Sequence, residues 1–335
     1  MKNIIAFFFL ILGTCCFSQK VSFETLLNDK ISIRAIEIYD NKVWYSGTDS
    51  KFGFVDINNA ENQKQIKLSE ETLQFRALAQ DETSFLTINI ESPAYFFKIN
   101  KKDLTYEIVF KDTLKTAFYD ALHFVNDQLA YSFSDSDDDR KLKLAVYEKQ
   151  KWSFFQSNIK LNNGEAAFAA SNTNITSYKN NMWIATGGKS SRVLKLNSKN
   201  QEIEIYNTPF IQGEASQGIY SIDFYKDVFG IAVGGDYTKQ EANINNIATT
   251  IDGGKTWQLE ASGKNAGYAT CVKIKPNSKG KEIVAVGDKH ISYSSDFGKT
   301  WKRISHEKGL YVCEWIDKNT MVFAGKDRIL KMKIE

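Results

Sequence analysis

The chain has 335 residues, 43 of them Lys or Arg and 40 Asp or Glu, for a formal net charge of +3. That near balance lacks the basic excess nucleic-acid binding needs, so neither DNA nor an anionic lipid surface is implied. Three His that never cluster and four Cys give no zinc constellation, and the expectation is no metal and no cofactor.

Residues 1–18 read as a signal peptide. Lys2 supplies the positive start, 4–12 is an apolar run too short to span a bilayer, and Cys16-Phe-Ser18 offers small residues to a signal peptidase. Cleavage before Gln19 leaves a single domain, 19–335, exported to the periplasm or secreted, with a charge of +2 once Lys2 is lost. The rival reading is a loose lipobox at 12–15 with a lipidated Cys15. No later stretch approaches a membrane-spanning length, so direct insertion of the mature chain is not expected.

From 21 to 335, short β-rich runs alternate with Asn, Asp, Gly, Ser and Lys, and no helical period lasts three turns. The reading is an all-β array. Apolar opening strands recur at 31–38, 74–79, 117–125, 165–170, 218–225, 268–274 and 310–316. Second strands ending in Gly follow at 43–47 (VWYSG), 182–187 (MWIATG), 230–234 (GIAVG), 283–287 (IVAVG) and 321–325 (MVFAG). The acidic run 134–139 alternates Asp135, Asp137 and Asp139 as calcium loops do. Arg140 stands where such a loop needs Gly and Val146 where it needs Glu, so the run reads as solvated. The last repeat has three strands, 310–316, 320–324 and 328–334, and lacks a fourth. Residues 21–27 supply it and close the ring, which removes an edge that would invite aggregation. Cys271 and Cys313 fall in opening strands of successive repeats, where a bridge and two buried thiols are both open.

Two runs forty-four positions apart, 250–257 (TIDGGKTW) and 294–301 (SSDFGKTW), share one pattern: Thr250, Asp252, Gly254, Thr256 and Trp257 match Ser294, Asp296, Gly298, Thr300 and Trp301. The pattern suits a tight turn in which the Asp accepts N–H groups, the Gly takes φ > 0 and the Trp enters the core. It resembles the Asp-box, or BNR repeat, of sialidases and of propellers similar to photosystem II stability and assembly factors. The resemblance implies a sialidase-like, seven-bladed β-propeller closed by the N-terminal strand, of roughly 45 residues per blade. It also makes the box a structural staple on the rim opposite the ligand entrance. The runs 74–78, 164–172, 184–192, 218–224 and 234–237 look like a bacterial branch of those propellers that often carries an oxidoreductase label. The residues give that label no support: there is no GxGxxG between strand and helix, no CxxC and no CxxCH.

The geometry implied by the resemblance gathers the remaining loops at a channel mouth. Arg34, Arg76, Asp120, Glu165, Glu214 and Tyr220 lie near the opening strands; Arg192, Asp236, Tyr237, Asp288, Lys289 and Asp327 follow the second strands. One reading is a polar recognition site with Arg34, Arg76 and Arg192 as carboxylate or carbonyl clamps. The other is a solvated lining of mutually satisfied charges. The expected function is a monomeric, non-catalytic propeller that binds a segment of an exported or membrane protein, or a small polar ligand, as an assembly or stability factor. The alternative is an enzyme on the same scaffold, an oxidoreductase or a sialidase-like glycoside hydrolase. The hydrolase would recruit Arg34, Arg76, Arg192, Tyr220 and Glu214, but the Arg-Ile-Pro opening of those enzymes is absent.

Overall fold

A computed structural model describes residues 20–334, and every regular element in it is a β-strand. The expected signal peptide, with Cys15 and Cys16, falls outside the described residues. Among the described residues no helix is long and apolar enough to cross a membrane. The strands form a β-propeller of antiparallel sheets round a central axis. Among the described residues six sheets are present, which corrects the expected count of seven. Four are four-stranded meanders, such as Phe75–Gln80, Ser84–Asn89, Ala94–Asn100 and Tyr106–Asp112.

The difference in count has a covalent cause. Strand Val21–Tyr39 runs unbroken for 19 residues and serves two neighbours: Val21 to Asn28 pair with Thr320–Ile334, and Ile33 to Tyr39 pair with Lys42–Gly47. Strand Thr320–Ile334 does the same, pairing first with Leu310–Trp315 and then with the N-terminal residues. The first and last sequence repeats therefore share one six-stranded sheet. The expected latch is present in it: Val21 lies opposite Ile334, and Leu26 and Leu27 are buried in the adjoining core. A second expectation also needs correcting. Residues 165–170 are not an opening strand; only Glu165–Ala166 is extended, and the inner strand of that region is Ile175–Tyr178.

Apolar side chains fill the wedges between neighbouring sheets, and the two box turns are bolted into these wedges. Asp252 accepts the Thr256 N–H at 2.9 Å, the Lys255 N–H at 3.0 Å, and the hydroxyls of Thr250 and Thr256. Asp296 repeats the set with Thr300 and Ser294. Gly254 and Gly298 sit at φ 90° and 81°, where a side chain would be strained. Trp257 and Trp301 donate their indole N–H to those same two glycine carbonyls. From the neighbouring sheet, Trp183 stacks on Phe224 at 3.9 Å and donates to the Gly253 carbonyl. Each turn thus fastens one sheet and supports the next.

Burial alone would raise the Asp252 carboxyl, but its hydroxyl and N–H donors outweigh it and bring the pKa down to about 2. A lowered carboxylate stabilises the fold above its ordinary value of about 4, and that contribution fades as pH falls toward 2. Asp252→Ala is expected to cost about 1–3 kcal/mol in urea denaturation near neutral pH, with the gap to wild type narrowing below about pH 4. A pH-independent gap would refute this assignment.

Candidate functional site

The inner strands do not run smoothly toward the axis. In five of them the register skips one residue, leaving a β-bulge whose extra residue is Arg34, Arg76, Asp120, Tyr220 or Tyr311. A bulge re-aims the side chain of its extra residue. Here all five line a single cavity of about 480 Å³ on the axis, with Phe168, Tyr268 and Thr270 completing its wall. The bulges also explain why second strands end in glycine. A Cβ on Gly47, Gly234, Gly287 or Gly325 would overlap the carbonyl of Ser32, Gly218, Tyr268 or Gly309, each two residues before the axial residue of its strand. Gly234→Ala is accordingly expected to push the Gly218 carbonyl aside, unseat Tyr220 and cost about 1–3 kcal/mol, read by thermal unfolding. A neutral result would show that the bulge does not depend on this approach.

The cavity has two unlike walls. On one side Arg34 is fixed: it donates to the Ala170 carbonyl at 3.1 Å, and its guanidinium lies 4.1 Å over the Tyr311 ring. Arg76 beside it makes no hydrogen bond or ion pair with any described residue. Burial, and then the charge of Arg34, lower its pKa, while Asp120 and Glu91 oppose the shift. Asp120 is 0 % exposed, and neither carboxylate oxygen has a partner at hydrogen-bond geometry, although the Ala169 N–H is turned toward it. Burial and the nearby Asp135 raise its pKa well above the carboxylate range, and Arg76 pulls it back only in part. On the other side Phe168 stacks on Tyr220 at 3.8 Å, and Tyr268 meets Tyr220 edge-on at 4.8 Å. The Tyr220 hydroxyl donates to the Ser216 carbonyl at 2.8 Å.

Three residues beyond Arg34, Asp120, Tyr220 and Tyr311 the strands point inward again, because the bulge has added one to the usual period of two. Glu37, His123, Asp223 and Glu314 therefore form, with Lys273 from the neighbouring strand, a second ring round a deeper space of about 90 Å³. Burial raises Glu37 to about 7 and Asp223 to about 6, and lowers His123 to about 4. Burial would lower Lys273, but Glu314 at 2.5 Å and Asp223 overcome it and keep the ammonium charged. Among the described residues no group of three or more His, Cys, Asp or Glu is arranged to hold a metal ion.

Of the twelve residues expected at the mouth, the structure brings Arg34, Arg76, Asp120, Tyr220, Tyr237 and Asp288 to the cavity. Of the other six, Asp327 accepts the Ile31 N–H at 3.3 Å, Glu214 lies outside the cavity lining, and four are held by local partners. Glu165 and Arg192 form a buried bidentate pair at 2.6–3.1 Å, with Thr186 and Asn162 also bound to Glu165. Asp236 caps its own turn through Thr238, and Lys289 pairs with Glu241 in the open. The sialidase-like set is therefore not assembled: Arg192 is tied to Glu165, and Tyr220, its hydroxyl bonded to a carbonyl and its pKa raised by burial, is a poor nucleophile. Sequence reading missed Phe168, Tyr268, Tyr311 and the whole second ring. The signal was there as a recurring quintet, IRAIE at 33–37, FRALA at 75–79, YDALH at 119–123, IYSID at 219–223 and LYVCE at 310–314, whose second residue lines the cavity and whose fifth, except Ala79, lines the deeper space.

No protein-family model matches the sequence, and no curated protein does. Among solved structures the chain is similar to a streptogramin B lyase, with TM-score 0.69, 15 % identity, and 94 % of this chain and 98 % of that one covered. It is similar to U3-55K at TM-score 0.66 and 10 % identity, covering 93 % and 98 % of the two chains. It is also similar to YCF48 bound to a D1 peptide, at TM-score 0.65 and 11 % identity, covering 94 % and 97 %. At such identities the likeness shows the fold, a β-propeller of the same kind, and the chemistry of the cavity must be argued from its own residues.

Proposed function

We propose that the chain is an exported, non-catalytic propeller that captures a carboxylate-bearing protein segment, or a small polar ligand of that chemistry, at the axial cavity. In this role it serves as an assembly or stability factor for an exported or membrane protein. The observation that carries the reading is Arg76, a guanidinium kept unpaired in a partly buried site beside Arg34. Burial and Arg34 disfavour the Arg76 charge more than Asp120 and Glu91 favour it, and a bound carboxylate would offset that cost through two charge-assisted hydrogen-bond donors. The aromatic wall opposite would take the apolar part of the segment. That a propeller of the same kind is seen with a D1 peptide supports a protein segment as the class of ligand.

Affinity capture from cell-envelope extracts tests this. The wild-type protein should retain one protein in near-stoichiometric amount, and an Arg34→Ala/Arg76→Ala double variant should lose it. Turnover of a chromogenic glycoside by the wild type, abolished in Arg76→Ala, would replace the binding role with an enzymatic one.

A further inference from the structure

Cys271 and Cys313 lie on strands Cys271–Ile274 and Leu310–Trp315, inner strands of two neighbouring sheets. Both are 0 % exposed. They are 42 residues apart in sequence, yet their sulfurs are 3.7 Å apart, the Cys313 thiol pointing at the Cys271 sulfur. One residue earlier the same seam is held by Thr270, whose hydroxyl donates to the Tyr311 carbonyl at 2.6 Å. The two thiols are thus fixed opposite each other, and each directly follows, or stands two residues beyond, a side chain that lines the cavity. Closing the gap to a disulfide of about 2.05 Å needs the sulfurs to approach by roughly 1.6 Å.

We propose that in the exported protein Cys271 and Cys313 are joined as a disulfide, a covalent strut across the seam that sets Thr270 and Tyr311 against each other. The inference rests on the export reading, since the bond persists only in an oxidising compartment. The oxidant is a protein disulfide of the thiol-oxidase class, acting while the strands are still accessible during folding. The Cys271 thiolate attacks one sulfur of that disulfide, forming a mixed disulfide and releasing a thiolate. The Cys313 thiolate then attacks the Cys271 sulfur and expels the second. The oxidase gains two electrons and is left as a dithiol, and the two cysteine protons go to solvent or to the released thiolates.

The test is made on the full chain directed to a bacterial periplasm by a host leader, so that failure of the native leader, a failure of the export reading, cannot affect the outcome. The periplasmic fraction is denatured without reductant, alkylated and digested. The expected result is no alkyl group on Cys271 or Cys313, a linked peptide pair that separates on reduction, and a Tm several degrees above that of the reduced protein. In Cys313→Ser, Cys271 should take one alkyl group. Alkylation of both cysteines in the unreduced wild type would overturn the proposal.

Discussion

Arg76→Ala is expected to weaken capture of the bound segment by roughly 10- to 100-fold, the equivalent of about 1.5–3 kcal/mol for a lost charged hydrogen-bond donor. The same substitution should leave Tm unchanged or raise it. Most arginines this far from solvent are anchored by a carboxylate, and removing one leaves the partner buried and unpaired. Arg76 has no hydrogen-bonded carboxylate partner, and burial and Arg34 disfavour its charge more than Asp120 and Glu91 favour it. Loss of binding with no loss of stability separates a recognition residue from a structural one. Arg192→Ala serves as the contrast: it would strand the buried Glu165 carboxylate and should destabilise the fold by about 3–5 kcal/mol without acting on the cavity directly. Titration of the captured segment and thermal unfolding, run on the same preparations, read both effects. A Tm several degrees lower in Arg76→Ala would mean that its guanidinium supports the fold.

Leu27→Ala is expected to cost about 2–5 kcal/mol, the range for emptying a buried leucine site. Leu27 is 4 % exposed in the core between the N-terminal residues and strand Thr320–Ile334. Removing residues 20–28 altogether should do more. Strand Thr320–Ile334 would lose its outer partner over most of its second half, and the bared edge should drive association. Urea denaturation reads the first effect and size-exclusion chromatography the second. A truncated chain that stays monomeric with an unchanged midpoint would show that the ring does not depend on its latch.

Much of the architecture was legible because it is written locally. The box turns need an Asp acceptor, a glycine at positive φ and a tryptophan that can reach back to a carbonyl, so Thr250 to Trp257 and Ser294 to Trp301 announce themselves. The latch was legible from a missing strand at one end and a spare one at the other. The number of sheets was not, because repeats count strand openings. Whether two leaves share hydrogen bonds depends on Val21–Tyr39 and Thr320–Ile334 running on without a break, which no side-chain pattern records. Arg34, Arg76, Asp120 and Tyr220 were found because opening strands converge on an axis. Glu165, Arg192, Asp236 and Lys289 were grouped with them on loop position alone, and local partners hold them elsewhere. The second ring was invisible to a period of two: Glu37 falls three residues after Arg34, and only the bulge between them puts both on one face.

The central claim, that the segment binds at the bulge-lined cavity and not on the box-turn rim, is tested most directly by site-specific photocrosslinking in cells. A photoreactive residue replaces Tyr237, 52 % exposed at the cavity, or Ile251, 78 % exposed in the first box turn. One discrete adduct is expected from position 237, lost when Arg76→Ala is added, and none from position 251. An adduct from position 251, or one from 237 that is indifferent to Arg76, would contradict it.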